Sequence, residues 1–308
     1  MKNTAVKVGL IIVLSAWFVY TAYWFIRGFS FEGPINIYNR TSTWTFSIGL
    51  SFVSEITGTI IPGFRAAAGV AAMAAFVMFL RGKSVRSLLR YALLFEAIGF
   101  ILFFPSGIRF AKEPWMFNLW VDAIPYTAAA FIIPIPLLIL RSKLASPDSQ
   151  AQAIKWSFIA GLSYLVFFWL NYTGQWFAAF AQPQAYASSF PGYGLSIVLN
   201  YPINMVSFLL TSVGLLILLA YLGWLTAQVV KDPANINLRK VGVTLTVLGA
   251  YFIVTILLFV IFGPVGGRSM PYNYMLEHSV DNWAVALPFL GIPLILSRQF
   301  SQNAKSSS

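Results

Sequence analysis

The chain has 308 residues, of which 9% are charged and 58% are hydrophobic, and its formal net charge is +11. A soluble domain has about 25% charged residues, so this composition excludes an ordinary water-soluble fold. The chain has no cysteine and one histidine, His278, which excludes disulfides, thiolate metal sites, cysteine nucleophiles and a haem or metal centre held by several histidines. We therefore expect no cofactor.

Apolar runs of about 20 residues, the length that crosses a hydrocarbon core, recur along the whole chain. The first run follows Lys2 and Lys7 as a signal peptide does, but it lacks a small-residue cleavage site, so we expect a retained span. In chain order the predicted spans are 5–27, 42–80, 86–104, 118–140, 153–175, 195–230, 239–263 and 282–298. The sequence thus predicts an all-α polytopic membrane protein with about eight transmembrane helices.

Two of these segments, 42–80 and 195–230, are too long for one straight crossing. Each contains a proline at a comparable place, Pro62 in the first and Pro202 in the second. Proline removes a backbone donor and clashes with the preceding turn, so we predict that each segment is broken there. The break is either a kink between a surface helix and a span, or a functional break that lines a water-filled cavity.

The two halves of the chain resemble each other. Residues 5–7 read Ala-Val-Lys and residues 153–155 read Ala-Ile-Lys. Later in each half, the stretch 105–109 corresponds to 264–268, and 136–141 corresponds to 293–298. We predict a 4+4 tandem repeat, a building plan common among carriers. The first four-helix repeat covers 1–148, and the second, with a short cytoplasmic tail, covers 149–308.

Basic residues divide unequally between the two sides of the predicted spans. One set of loops carries 14 lysines and arginines and the other carries 5, while Arg65 lies inside a segment. This bias predicts that both termini are cytoplasmic. It also explains the positive charge without a nucleic acid partner, so the expected partner is the lipid bilayer. Short loops favour a prokaryotic plasma membrane.

Three ionisable residues interrupt the predicted spans: Glu55, Arg65 and Glu96. Charges inside spans are costly and usually functional. Glu96 lies about 15 Å from the cytoplasmic end of its span, where a carboxyl group must hold a proton or pair with a cation such as Arg65. We predict that these three residues and Pro62 form a midplane site for a small solute or ion. The alternative is a fixed Arg–Glu pair, or a neutral glutamic acid hydrogen-bonded across helices.

A second polar group is predicted near the outer surface, and the repeat places two of its arginines at equivalent positions. Such a vestibule would attract an anion. The alternative is a set of solvated salt bridges that contribute little, with the histidine a simple loop residue. The candidates are Arg109, Asp122, Arg268, His278 and Asp281.

The stretch 63–75 is rich in glycine and alanine at four-residue spacing, which lets helices approach closely and predicts a packing helix. The chain contains no glycine-rich phosphate loop, no H-E-x-x-H and no G-x-S-x-G, so an enzyme is disfavoured. The sequence supports a secondary carrier or permease first. The alternative is a non-catalytic membrane subunit or assembly protein that docks other membrane subunits. The third hypothesis is an enzyme acting on lipid or quinone, with Glu96 or Asp122 as acid or base.

Overall fold

The computed structural model describes residues 61–81, 83–102, 124–145, 150–181, 205–206, 208–233 and 237–262. Within these ranges the regular elements are helices and none is a strand, which confirms the all-helical prediction for this part of the chain. The elements in chain order are α1 (Ile61–Leu80), α2 (Arg86–Ile101), α3 (Ile124–Ile132), α4 (Pro134–Lys143), α5 (Gln150–Ala181), a π turn (Leu209–Gly214), α6 (Leu215–Lys231) and α7 (Leu238–Phe262).

Two helical stretches are long and apolar enough to cross a membrane, Ala151–Leu170 and Leu209–Lys231. Large apolar side chains on both are 38% to 65% exposed, among them Val166, Leu216 and Ile217. Such faces are unfavourable in water and normal for a helix in contact with lipid. The described part of the chain therefore has the character of a membrane-associated protein. The eight crossings and the tandem repeat remain predictions.

Two helices begin within one residue of the predicted position. Helix α2 begins at Arg86, the first residue of the predicted span 86–104, and α7 covers Leu238–Phe262 against a prediction of 239–263. The start of α7 has a clear cause. The Oδ1 atom of Asn237 accepts hydrogen bonds from the backbone N–H groups of Arg239 and Lys240, each at 3.1 Å, and so caps the helix.

Helix α5 is longer than its apolar run. The prediction was 153–175, whereas the helix covers Gln150–Ala181. Pro147 and Pro183 lie just beyond its two ends in the sequence, and the stretch between them contains no proline. Because nothing in this stretch removes a backbone donor, the helix continues through the polar residues that flank the apolar run.

The predicted span 118–140 is interrupted at Ile133, and the sequence analysis did not predict this interruption. Helices α3 and α4 are separated by a single turn residue, Ile133. Pro134 and Pro136 have no N–H, so two carbonyl groups of α3 lose their usual partners in the next turn. Ile133 itself keeps helical dihedral angles (φ −76°, ψ −44°), and the N–H of Leu137 lies 3.4 Å from its carbonyl oxygen. The chain therefore passes from α3 to α4 without forming a loop.

Small and aromatic residues hold the first helices together. Helix α1 packs on α2, and its residues Ala68, Ala72 and Ala75 are buried, in agreement with the packing role predicted for 63–75. Helix α2 contacts α5 through Phe100, whose ring meets Tyr164 edge-on at a centroid distance of 5.7 Å. The result is a tight α1–α2 pair joined to α5 by an aromatic cluster.

Candidate functional site

The predicted site residues differ in how much of them the structure describes. Glu96 is described with its side chain. Pro62 and Arg65 belong to helix α1, and the structure describes their backbone but not their side chains. The other candidates lie outside the described residues altogether: Glu55, Arg109, Asp122, Arg268, His278 and Asp281.

The carboxyl group of Glu96 is buried within the helix packing. Its side chain is 5% exposed and lies in α2 beside the buried residues Leu93, Ala97 and Phe100. The residue has an interaction partner within the protein. An ionisable group in such surroundings is costly to bury, so it must be held by a proton, a cation or donors from neighbouring helices. A carboxyl group buried in this way can also bind a transported proton or cation.

Helix α1 approaches α2 closely at the level of Glu96. The rings of Phe64 and Phe95 have centroids 6.2 Å apart, and a Cβ atom added at Gly99 would lie 3.9 Å from the Cβ atom of Phe64. Because Arg65 follows Phe64 in α1, its backbone lies at about the height of Glu96 on the neighbouring helix. The structure thus brings the backbone of one predicted site residue next to the helix that carries another.

The π turn is an irregular feature that the sequence analysis missed. Over Leu209–Gly214 the helix is wider than an α-helix, and the N–H of Leu215 bonds to the carbonyl oxygen of Leu210, five residues back. Two side chains from distant helices donate to carbonyl groups of this turn. Trp169 Nε1 of α5 donates to the Ser212 carbonyl oxygen at 2.9 Å, and the Tyr251 hydroxyl of α7 donates to the Leu210 carbonyl oxygen. The π turn is therefore a meeting point of three helical segments.

Ser212 places a buried hydroxyl group at this meeting point. Its side chain is 5% exposed, and its Oγ atom has no hydrogen-bond partner among the described residues. Gly214 fits the π turn closely, because a Cβ atom there would lie 3.3 Å from the Leu209 carbonyl oxygen of the same turn. The distance from such an atom to the Tyr251 ring of α7 would be 3.5 Å, an ordinary contact. The sequence signal for this feature is weak: the small and polar stretch 211–214 within a run of leucines is typical of many membrane helices.

We expect Trp169→Phe to lower the free energy of unfolding by about 1–3 kcal/mol, because the Ser212 carbonyl oxygen loses a buried donor while the aromatic ring is largely kept. Thermal unfolding of the purified protein in lipid nanodiscs measures this. Trp224→Phe is the matched control, since Trp224 is 49% exposed. Equal losses in the two variants would show that the bond from Trp169 does not stabilise the π turn.

The described residues hold no group of three histidine, aspartate or glutamate side chains that could bind a metal ion. The polar groups buried in this part of the chain include the Glu96 carboxyl group and the hydroxyl groups of several serine and threonine residues. Comparisons of the chain with protein-family models, with curated proteins and with solved structures found no match, so the site is interpreted from its own residues.

Proposed function

We propose that this chain is an integral membrane carrier for a small solute or ion, with Glu96 in its polar site. The observation that carries the proposal is the burial of the Glu96 carboxyl group between apolar helices of a membrane-associated protein. Ionisable residues at such positions usually mark an ion, proton or substrate pathway.

The proposed role of Glu96 is to hold a proton or a cation and to release it when water reaches the site. Arg65 of α1 is its proposed partner in the ligand-free state. In this scheme a cation or proton and the arginine compete for one carboxylate, because a buried carboxylate needs one positive charge but does not need two. Binding of the ligand would therefore free Arg65 and loosen the contact between α1 and α2.

The π turn supports this proposal from the second half of the chain. Carriers use irregular stretches of membrane helix where backbone and side-chain groups meet a substrate or where the helix bends. A π turn contains one more residue per turn than an α-helix needs, so it can convert to α-helix by a small shift of register. The turn at Leu209–Gly214 is a helix irregularity of this kind.

The competing hypothesis is a non-catalytic membrane subunit in which Glu96 is only a structural contact. Both hypotheses require the observed burial. They differ in hydration, because a carrier must admit water to its site from at least one side of the membrane, whereas a structural contact stays dry. The enzyme hypothesis differs again, since it requires an opening to the lipid beside the carboxyl group.

The absence of cysteine in the chain makes hydration directly measurable. The test uses Glu96→Cys and, in a separate variant, Ala97→Cys, because Ala97 is fully buried on the same helix. Each is treated in intact membranes with a small charged thiosulfonate, which reacts with a thiolate in water. We expect the thiol at position 96 to react at least about tenfold faster than the thiol at position 97, a difference of about 1.4 kcal/mol in the activation free energy.

A third variant, Leu257→Cys, reports reaction of a lipid-facing position, because Leu257 is 50% exposed on α7. We expect this thiol to remain unreactive, since a charged reagent does not enter lipid. The carrier proposal is wrong if the thiol at position 96 stays as unreactive as the one at position 97 from both sides of the membrane, in a variant that elutes as a folded protein. The structural hypothesis is then favoured.

A further inference from the structure

The directions of the first helices follow from their side-chain contacts. Phe100, near the end of α2, meets Tyr164 and Phe167, which lie roughly 20 Å along α5 from its first residue. Helix α4 packs along the first part of α5 after only a short connection, so the two are antiparallel. Because α2 packs more on α4 than on α3, the start of α2 lies beside the end of α4.

Basic residues of three helices, α2, α4 and α5, consequently gather at one end of this unit, which we call the basic end. The connection between α1 and α2 adds its own cations there. Glu96 is the one acidic residue in the described parts of α1 to α5, and it lies about 9 Å further along α2 than Arg90. Asp148 lies in the connection 146–149, outside the described residues. The basic end comprises Arg81, Lys83, Arg86, Arg90, Arg141, Lys143 and Lys155.

Two of these residues differ from ordinary surface cations. Arg81 and Lys83 are exposed, whereas Arg90 of α2 and Arg141 of α4 are half-buried. The Nε atoms of both Arg90 and Arg141 are buried and have no hydrogen-bond partner among the described residues. A cation that only sets membrane orientation gains nothing from burying an Nε–H donor without an acceptor, because that donor is better solvated in water.

We infer that Arg90 and Arg141 form a binding site for a phosphate group, carried either by an anionic lipid headgroup or by a soluble phosphate compound. Guanidinium groups bind phosphate oxygens through two parallel hydrogen bonds, in which Nε–H is one of the donors. A phosphate beside α2 and α4 would give both buried donors a partner once the two side chains turn, because the Nε atoms are not accessible as they stand. The phosphate would also offset the repulsion among the cations of the basic end. This proposed phosphate site is independent of the transport proposed at Glu96.

Phosphate fits this site better than a carboxylate or a halide ion. Two arginines on adjacent helices present donors from two directions, and a phosphate group offers several oxygen acceptors to meet them. The surrounding lysines, Lys143 and Lys155, are half-buried and add charge without fixed geometry. A single carboxylate offers only two oxygen atoms and would leave one guanidinium group without a pair of acceptors.

The test compares the unfolding temperature and ligand binding of the full chain in maltoside micelles, which contain no phosphate, in the same micelles with added phosphatidylglycerol, and in the same micelles with inorganic phosphate. The variant Arg90→Lys with Arg141→Lys keeps the charge but removes Nε–H and the planar fork. We expect it to bind the phosphate ligand about tenfold more weakly than the parent, the loss typical of removing charge-assisted hydrogen bonds. The variant Lys231→Gln with Arg239→Gln removes two exposed cations elsewhere and should bind like the parent.

The two sources of phosphate give different results. Stabilisation by phosphatidylglycerol alone assigns the site to a lipid headgroup, and stabilisation by inorganic phosphate assigns it to a soluble compound. The inference is overturned if neither ligand stabilises the parent, or if the double-lysine variant binds as tightly as the parent. In the second case the basic end attracts anions by its net charge alone. Unfolding in maltoside micelles alone shows whether the double-lysine variant is folded.

Discussion

Replacing Phe100 with alanine is expected to lower the free energy of unfolding by about 3 kcal/mol, the low end of the range for a large aromatic residue in a soluble core. The side chain is 1% exposed, and its ring meets those of Tyr164 and Phe167 at 5.7 and 6.4 Å. In a membrane the separated helices remain in lipid, so the hydrophobic effect contributes little to this loss of stability. The loss comes from the missing ring contacts and from the cavity that alanine leaves.

Phe131→Ala is the matched control, because Phe131 lies on α3 and is 56% exposed. It should cost well under about 1 kcal/mol, since its side chain is mostly exposed and its removal leaves no closed cavity. Reversible unfolding in mixed micelles measures both variants. Similar losses at the two positions would mean that Phe100 does not lie in a close-packed cluster, and that α2 is not fixed to α5 as described.

The effect of Phe100 on the candidate site would follow from its position. Phe100 is one helical turn from Glu96 on the same side of α2, so the two side chains share a neighbourhood. A cavity at Phe100 gives α2 room to rotate, and the carboxyl group would rotate with it. We therefore expect the thiol reactivity of the Glu96→Cys variant to change when Phe100→Ala is added to it.

The sequence predicted the start of a helix correctly where neighbouring residues determine it. The start of α2 follows a cluster of basic residues, and α7 starts after an asparagine cap, so both limits agree with the predicted spans. Helix burial was also readable where the pattern is local, as for the small residues of α1. These features depend on neighbours within one or two turns, which a single sequence displays.

The features that were missed depend on distant residues. The π turn is held by Trp169 and Tyr251, which are more than 40 residues away from the carbonyl groups that they bind. No local pattern predicts such pairings. The interruption before Pro134 has another origin, because the apolar run is continuous and only its prolines mark the place.

The candidate site shows the same difference between local features and features that depend on distant residues. That Glu96 is an intramembrane carboxyl group follows from one residue in an apolar run, but its partners depend on how α1 and α2 pack. The count of basic residues assigned Arg90 and Arg141 to one side, yet it could not show that their side chains are half-buried while those of Arg81 and Lys83 are exposed. The second half of the sequence has no equivalent of Glu96. The polar feature that the structure describes in that half is the π turn.

The second large effect is expected at the α1–α2 contact. Ala72 is fully buried on α1, and α2 is the described helix on which α1 packs. Ala72→Leu adds three carbon atoms where there is no space, so the helices must separate or shift. We expect a loss of roughly 1–3 kcal/mol in the free energy of unfolding, as for other overpacked cores. Val70→Leu, at a position that is 53% exposed on the same helix, should leave stability unchanged.

The same substitution also tests the link between packing and function. Small residues on α1 keep Arg65 and Glu96 on adjoining helices, so separating α1 from α2 should admit water to the carboxyl group. The Glu96→Cys variant should therefore react faster with the charged reagent when it also carries Ala72→Leu, while Val70→Leu leaves its rate unaltered. A loss of stability without any change in the reactivity of the thiol at position 96 would show that the α1–α2 contact does not control access to the site. The conformational change of a carrier would then occur at another segment, and the π turn is the described segment best suited to it.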